Sequence, residues 1–406
     1  MSIMITESYT LLTRVPLFKD FDGFYADDLW EKDLSMHLKY ISDFRIVCPV
    51  ENSNSKTDSL KKVHYLTDKQ VTSLSVDRGW ASVAFNFIPN FIRVFSSVRR
   101  SQLVHTGCAG WAFPLAYYVL LLRPFLTFKW INVVESSFWI KPISGRISAR
   151  QQIEHYVNEF LVKACVRHSD ARIFTQDWYR QRYLGSHSAS MVNTAVWIDD
   201  KDFRSESDLD TSEISAVTAR FIFPARLIPD KGVDVVLAAV QRWDELFGMT
   251  VGPVVRVDII GVGPLAELCR GFILKRSPKS RLQMEFLGAV PYGPSFFKLL
   301  RTYSAAIVAN RQAEQARIVF DVMAQGIPCV ATRTTGNLAI IEDGSTGALF
   351  PIDDVDALAN LIEKASRNPV WLCTLGRNAL SAARGFSHSS MHREREAFLR
   401  QVLSLS

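Results

Sequence analysis

Short runs of β-branched and aromatic residues alternate along the whole chain with longer segments whose apolar positions recur every three or four residues. This is the pattern of βαβ units stacked around parallel sheets, and it predicts an α/β fold. In the first half, Asp27 or Asp28 can cap a helix running through Ile41, with Leu34, Leu38 and Ile41 spaced by four and three. Strands are predicted at Phe44–Pro49, Gln102–His105, Trp130–Val134, Ala171–Thr175 and Met191–Asn193, with a long helix between Ile153 and Arg167. The most apolar run, Trp111–Leu122, is closed by Arg123-Pro124 and falls short of the roughly 20 residues that span a bilayer, so it reads as a buried or interfacial helix.

Phe203–Val217 is polar, charged and serine-rich and is the best linker candidate. Beyond it the alternation becomes regular. Strands are predicted at Arg220–Pro224, Val254–Ile260, Met284–Leu287, Ala305–Ala309 and Pro328–Ala331. Helices are predicted at Gly232–Trp243, from Pro264, around Asp321–Gln325, and at Val355–Ser366 and Met391–Leu403. The outline is a doubly wound sheet.

Composition narrows the function. The 406 residues predict two or three domains at roughly 150 residues each. With 48% hydrophobic and 22% charged residues, wholesale disorder is excluded. A net charge of +6 suits phosphate-bearing ligands or an anionic membrane face but is too weak for a nucleic-acid binder. The six cysteines are dispersed with no CxxC pair, which indicates neither a zinc site nor a disulfide framework and points to a reducing, cytoplasmic setting. Glu7, Arg14 and Lys19 interrupt the first twenty residues, so no secretory signal is expected.

Three segments carry chemistry. In Phe223-Pro-Ala-Arg-Leu-Ile-Pro-Asp-Lys-Gly232 a strand gives way to a helix, and Arg226 and Lys231 stand where a diphosphate can be held, by a bidentate fork and a point charge. Taken alone, an Arg/Lys pair of this kind reads first as two solvated surface cations. In Val257-Asp-Ile-Ile-Gly-Val-Gly-Pro264, Gly261, Gly263 and Ala266 match the GxGxxA dinucleotide fingerprint, with Glu285 near the distance expected of a ribose-binding acid. A glycine turn of that kind also occurs without any ligand. In the segment Asn310–Ala331, Glu314 and Asp321 are seven residues apart and share a helix face if the helix already includes Glu314; otherwise Glu314 caps and Asp321 is incidental.

Together, Arg226 with Lys231-Gly232, the Ile-Ile-Gly-x-Gly-Pro turn, Phe286-Leu-Gly288 and the Glu314–Ala331 segment resemble the family 4 retaining glycosyltransferases of the GT-B fold (glycosyl transferases group 1). The resemblance covers nearly all of the second half. It implies two Rossmann-like domains facing across a cleft. An acceptor-binding domain is expected at about residues 1–205 and a nucleotide-sugar-binding domain at about 217–388, with the closing helix at about 389–406 a candidate to pack back on the first. It implies that Arg226 and Lys231 hold the donor diphosphate, with Gly263 beside them. Glu314 would contact the transferred sugar, Asp321 the ribose hydroxyls, and the backbone near Ala289–Val290 the base. The chain departs from the family in three places. Glu314 and Asp321 have six residues between them where the family has seven, the second acid is aspartate, and the later Gly-Gly-x-x-Glu appears as Thr335-Gly-Asn-Leu-Ala339, one acid short.

The first half matches faintly. Strand Trp130–Val134 ends in Glu135-Ser-Ser-Phe-Trp139 where many relatives have histidine, making Glu135 a candidate active-site group or, equally, a loop carboxylate. His105 reads as structural or exposed, and His37, His155 and His168 take no role. The expected activity moves a sugar from a nucleotide-diphosphate sugar to a saccharide or lipid-linked saccharide in bacterial surface or exopolysaccharide biosynthesis, with no cofactor, and with no metal because no DxD-type motif stands where the donor should bind. Arg93, Arg99 and Arg100 among Phe91, Ile92, Val94 and Phe95, with the Trp111–Leu122 run, suggest peripheral inner-membrane contact or an ordinary amphipathic helix. A nicotinamide oxidoreductase resting on GxGxxA, a catalytically degenerate GT-B scaffold partner, and a GT-B phosphorylase or epimerase are the alternatives.

Overall fold

The computed structural model describes residues 4–52, 60–76, 79–109, 112–136, 139–140, 148–184, 189–209, 218–276 and 280–404. They form two compact units. One runs to Ala195 and takes in the chain again from Met391; the other runs from Val196 to Ser390. Of the linker Phe203–Val217, residues 210–217 lie outside the described residues.

The first unit contains β1 (Tyr9–Leu12), β2 (Leu17–Asp20), β3 (Gly23–Ala26), α1 (Asp28–His37), β4 (Phe44–Asn52), β5 (Lys61–Lys62) and β6 (Val71–Leu74). It continues with α2 (Trp80–Val98), β7 (Leu103–Gly107), α3 (Leu115–Leu122), β8 (Lys129–Val134), α4 (Ala149–His168), β9 (Ala171–Phe174), α5 (Asp177–Tyr183) and β10 (Ser190–Val192). Its sheet runs β10-β9-β8-β7-β1-β4-β2-β3-β5, with β6 also on β4. Strands β10 to β4 are parallel, and β3 turns the far edge antiparallel. Asp27 caps α1 by accepting from the Trp30 amide, but the helix stops at His37, and Ile41 instead makes a lone bridge to Ile5. Three correct expectations of strand position, β7, β8 and β9, bracket helices that cover one face. Of the apolar run Trp111–Leu122, Trp111 lies outside the described residues, and Leu115–Leu122 is α3, whose side chains are almost all buried in the core. It is not an interfacial helix.

The second unit contains β11 (Thr218–Pro224), α6 (Val233–Phe247), β12 (Val254–Ile260), α7 (Ala266–Leu274), β13 (Leu282–Gly288), α8 (Pro294–Leu300) and β14 (Ala305–Val308). Then come α9 (Ile318–Ala324), β15 (Cys329–Thr332), α10 (Thr335–Leu338), β16 (Gly347–Phe350), α11 (Val355–Arg367), α12 (Pro369–Ala383) and α13 (His388–Ser404), whose residues from Met391 belong to the first unit. The sheet order β13-β12-β11-β14-β15-β16 is parallel throughout. Strands β14, β15 and β16 are buried along their whole length, as a sheet covered on both faces requires. Val233, Val236, Val240 and Trp243 form the inward stripe of α6, which packs on α11.

Counted within the unit, this is the doubly wound order 3-2-1-4-5-6. Its topological switch point lies between β11 and β14, and ligands of such sheets bind outside the carboxyl ends of the strands there.

Candidate donor site at the switch point

The loop after β11 carries Arg226 and Lys231, and the loop after β14 carries Glu314. The two loops are forced together by glycine. Gly232 has φ +67°, and a Cβ on it would stand 2.1 Å from the Ala309 carbonyl oxygen, so no other residue allows β14 to end so close. Arg311 then clamps the junction: its backbone amide donates to the Asp230 carbonyl (2.9 Å), and its guanidinium donates to the Pro229 carbonyl (2.7 Å) and to Asp234 (2.7 Å). Paired with Asp234 and Asp353, the guanidinium is held charged even more firmly than usual.

Across this junction Lys231 Nζ donates to Glu314 Oε1 at 3.0 Å, with the two side chains 17% and 29% exposed. The pair is thus partly sheltered yet reachable from solvent. Arg226, nearby in sequence, is exposed and forms no ion pair among the described residues.

Helix α9 begins only at Ile318, so Glu314 sits on the loop ahead of it. The condition for Glu314 and Asp321 to share a helix face is therefore not met. What fixes the Glu314 loop is a buried polar network. Asn310 Nδ2 donates to the Gln312 carbonyl (3.1 Å), and Thr332 Oγ1 donates to the Asn310 carbonyl (2.6 Å). Asn337 Nδ2 donates both to Asn310 Oδ1 (2.9 Å) and to the Thr332 carbonyl (2.8 Å). Gly336 completes the fit, since a Cβ there would lie 2.5 Å from the Glu314 carbonyl oxygen. Thr335-Gly-Asn-Leu-Ala339 acts as the floor under Glu314.

Asp321 lies on α9, only 6% exposed, and accepts from the Tyr292 hydroxyl at 2.7 Å. Burial and the neighbouring carboxylate push the Tyr292 phenol far above its ordinary range, so it stays a donor. Tyr292 and Val290 follow β13 and pack on the same core as α9. Tyr292 was not anticipated from the sequence. An aromatic two residues after a predicted base-contact position was the available signal.

The Gly261–Gly263 turn is occupied by the chain itself. A Cβ on Gly261 would meet the Ala225 carbonyl oxygen at 1.8 Å, and one on Gly263 the Leu227 carbonyl oxygen at 2.4 Å. These glycines let the turn after β12 press on the loop bearing Arg226. The fingerprint also follows the second strand of the unit, whereas a dinucleotide fingerprint belongs to the first βα turn. Glu285 pairs with Arg256.

Glu135 is exposed at the carboxyl end of β8, its Oε1 beside Gly107 at the end of β7; residues 137–138 of its segment lie outside the described residues. His105 is buried and hydrogen-bonded to Tyr9, and burial holds its imidazole neutral. Asp33, His37 and His392 place ligand-type atoms within 4.8 Å of one another, the one such group among the described residues. Those atoms are engaged in the cluster: His392 Nε2 meets Asp33 Oδ1 at 3.0 Å, and His37 Nδ1 meets the Asp33 carbonyl at 2.9 Å. The donor set is a fastening between α1 and α13.

Residues 218–368 match the family described as Glycosyl transferases group 1. The chain has a GT-B fold, and its second unit is similar to the group 1 glycosyltransferases. Among solved structures, sucrose-phosphate synthase from Thermosynechococcus elongatus aligns over 98% of this chain and 99% of its own, with a TM-score of 0.70 at 16% identity. HepE of Anabaena, solved in complex with UDP, aligns over 97% and 100%, with a TM-score of 0.65 at 14% identity. A Salmonella typhimurium glycosyltransferase named for colanic acid biosynthesis, WcaL, is 21% identical over 63% of this chain and 62% of that protein. The matches span 19% to 62% of the length of the curated relatives concerned.

Proposed function

We propose that the chain is a retaining glycosyltransferase that moves a sugar from a nucleoside-diphosphate sugar to a saccharide or lipid-linked saccharide of a surface or exopolysaccharide. The observation that carries this reading is the Lys231–Glu314 pair, 3.0 Å apart at the switch point of a doubly wound sheet. A cation and a carboxylate held together there match the two ends of a sugar diphosphate: Lys231, with Arg226 at the rim, faces the phosphates, and Glu314 accepts from sugar hydroxyls. Asp321 and Tyr292 serve the ribose, and the backbone at Val290 serves the base.

As the glycosidic C–O bond to the phosphate breaks, negative charge grows on the diphosphate. Lys231 and Arg226 stabilise it more strongly than in the intact donor, which is the condition for rate acceleration. The acceptor hydroxyl attacks the same face of the oxocarbenium-like carbon, and its proton passes to the departing phosphate oxygen, so no protein nucleophile is required. Glu135 is assigned to the acceptor side. UDP-sugars are the first donors to test because HepE was solved with UDP. The test is a panel of nucleoside-diphosphate sugars screened for thermal stabilisation and for release of the nucleotide. A specific donor at about 100 times its Kd adds about 2.7 kcal/mol to stability. The reading fails if no donor stabilises the folded protein.

A further inference from the structure

Helix α2 exposes the wrong side chains for an ordinary surface helix. Val83, Asn90, Val94 and Val98 face the core, with Phe87, Phe91 and Phe95 packed partly against it. Of the residues that suggested membrane contact, Phe91, Val94 and Phe95 therefore point inward. The opposite stripe should be polar, yet it holds Phe85 (86% exposed), Ile88 (61%) and Ile92 (57%), with Trp80 at the helix start. The spacing of three and four residues puts them on one face over two turns.

This stripe runs into a basic groove. A depression of about 670 Å³ lies between the C-terminal half of α2 and the amino ends of β4 and β6, and Ile92 is a wall of both stripe and groove. Arg45, Lys69, Arg93 and Arg100 line it with Ser96 and Thr72. Its one acid, Asp43, is already paired with Arg45 at 3.1 Å. In the same unit α3 packs between α2 and α4. On α4, Ile153, Tyr156, Val157 and Phe160 are also exposed, and the same stripe ends in Lys163 and Arg167. Both helices thus pass from apolar to basic along their outer faces.

We infer that the outer face of α2, with the Arg45–Lys69–Arg93–Arg100 groove, docks on an anionic phospholipid surface: the apolar stripe enters the headgroup and acyl boundary while the groove takes lipid phosphates. Charge selects this occupant. A second copy of the chain would bring the same basic groove to an isologous contact, whereas a bilayer rich in anionic lipid supplies apolar depth and phosphate side by side. The inference rests on the reading of the acceptor as lipid-linked.

The experiment is sedimentation of the full chain with vesicles of phosphatidylglycerol and phosphatidylcholine, or of phosphatidylcholine alone. The wild type should bind the mixed vesicles and release from them as salt rises. Lys69→Gln with Arg93→Gln should weaken that binding about 25-fold, about fivefold for each cation lost. Phe85→Ser with Ile88→Ser should weaken it at least tenfold. Stabilisation by a nucleotide-sugar, a property assigned to the other unit, should persist in both variants, and an unchanged circular dichroism spectrum and unfolding midpoint show that the substituted unit folds. Equal binding to the two vesicle types, unchanged binding in both variants, or dimerisation through this face without vesicle binding would each overturn the inference. Absence of vesicle binding with a normal donor response refutes the docking surface alone. Vesicle binding with no response to any donor refutes the donor site alone.

Discussion

Asn310, Thr332 and Asn337 in the second unit, and Asp33, His37 and His392 in the first, are buried polar clusters of similar size and opposite chemistry. The first is built from amides and a hydroxyl, none of which titrates, and its product is the position of a loop. The second is built from imidazoles and a carboxylate, and its product is the attachment of the C-terminal helix to α1. A site proposed to hold a phosphate ligand gains from a support that keeps its geometry at any pH, while a fastening between helices can tolerate one that does not. The contrast yields four tests.

The largest effect is expected where the site loops are pressed together. Gly232→Val must meet the Ala309 carbonyl and adopt a left-handed φ, and should destabilise by ~3 kcal/mol or more, read as the shift in a urea unfolding midpoint. Next comes acid. Burial lowers the His392 pKa to about 3, against the Asp33 hydrogen bond that favours its charged form, while the unfolded chain protonates it near 6.5. The unfolded state therefore takes up the extra proton, so this contribution is full above pH 6.5 and is lost as pH falls toward 3. A decline of roughly 2 kcal/mol over that window, flattened by His392→Gln, is expected in denaturation series. His37, His105, Tyr9, Tyr40 and Arg395 face the same cluster, so the slope reports the group as a whole.

Asn337→Ala leaves Asn310 Oδ1 without this donor and should cost about 1.5 kcal/mol, by the same amount at pH 5 and pH 8 on the same denaturation assay, together with a raised donor KM. A pH-dependent loss would erase the distinction between the clusters. The smallest effect belongs to Arg226→Ala: the side chain is exposed, and a donor KM raised about tenfold with stability unchanged is the expected result in steady-state kinetics.

How far the sequence foretold this molecule depends on whether a feature is local. In the second unit, five of the six strands read correctly, helped by uninterrupted apolar runs such as Ala305–Val308, while the short edge strand β16 (Gly347–Phe350) was missed. The switch-point cation Lys231 and the acid Glu314 were legible because each lies in the loop that leaves the carboxyl end of a strand. The network under Glu314 was not, since Asn310, Thr332 and Asn337 meet only through tertiary packing between segments more than twenty residues apart. Tyr292 over Asp321 was hidden for the same reason.

In the first unit the central strand β1 went unnoticed: Tyr9–Leu12 is four residues long, and its pairing with both β4 and β7 is not written in its own pattern. Of helix α2 only the stretch from Phe91 was read, as one of two alternatives; Pro89 and aromatics on more than one side blur the 3.6-residue period and hid its full extent. Gly261 and Gly263 misled in the other direction. Their spacing suggested a ligand, and their reason is the approach of two carbonyls of the same chain.

The central claim is that Lys231 meets the diphosphate and Glu314 the sugar. Calorimetric titration of UDP and of the best UDP-sugar into the wild type, Lys231→Ala and Glu314→Gln separates the two. Lys231→Ala should weaken both ligands alike, by about 10- to 150-fold. Glu314→Gln should weaken the UDP-sugar and leave UDP bound as tightly as before or more so, because Lys231 is released from its partner. Unchanged affinities in Lys231→Ala, or an equal loss of UDP and UDP-sugar in Glu314→Gln, would contradict the account.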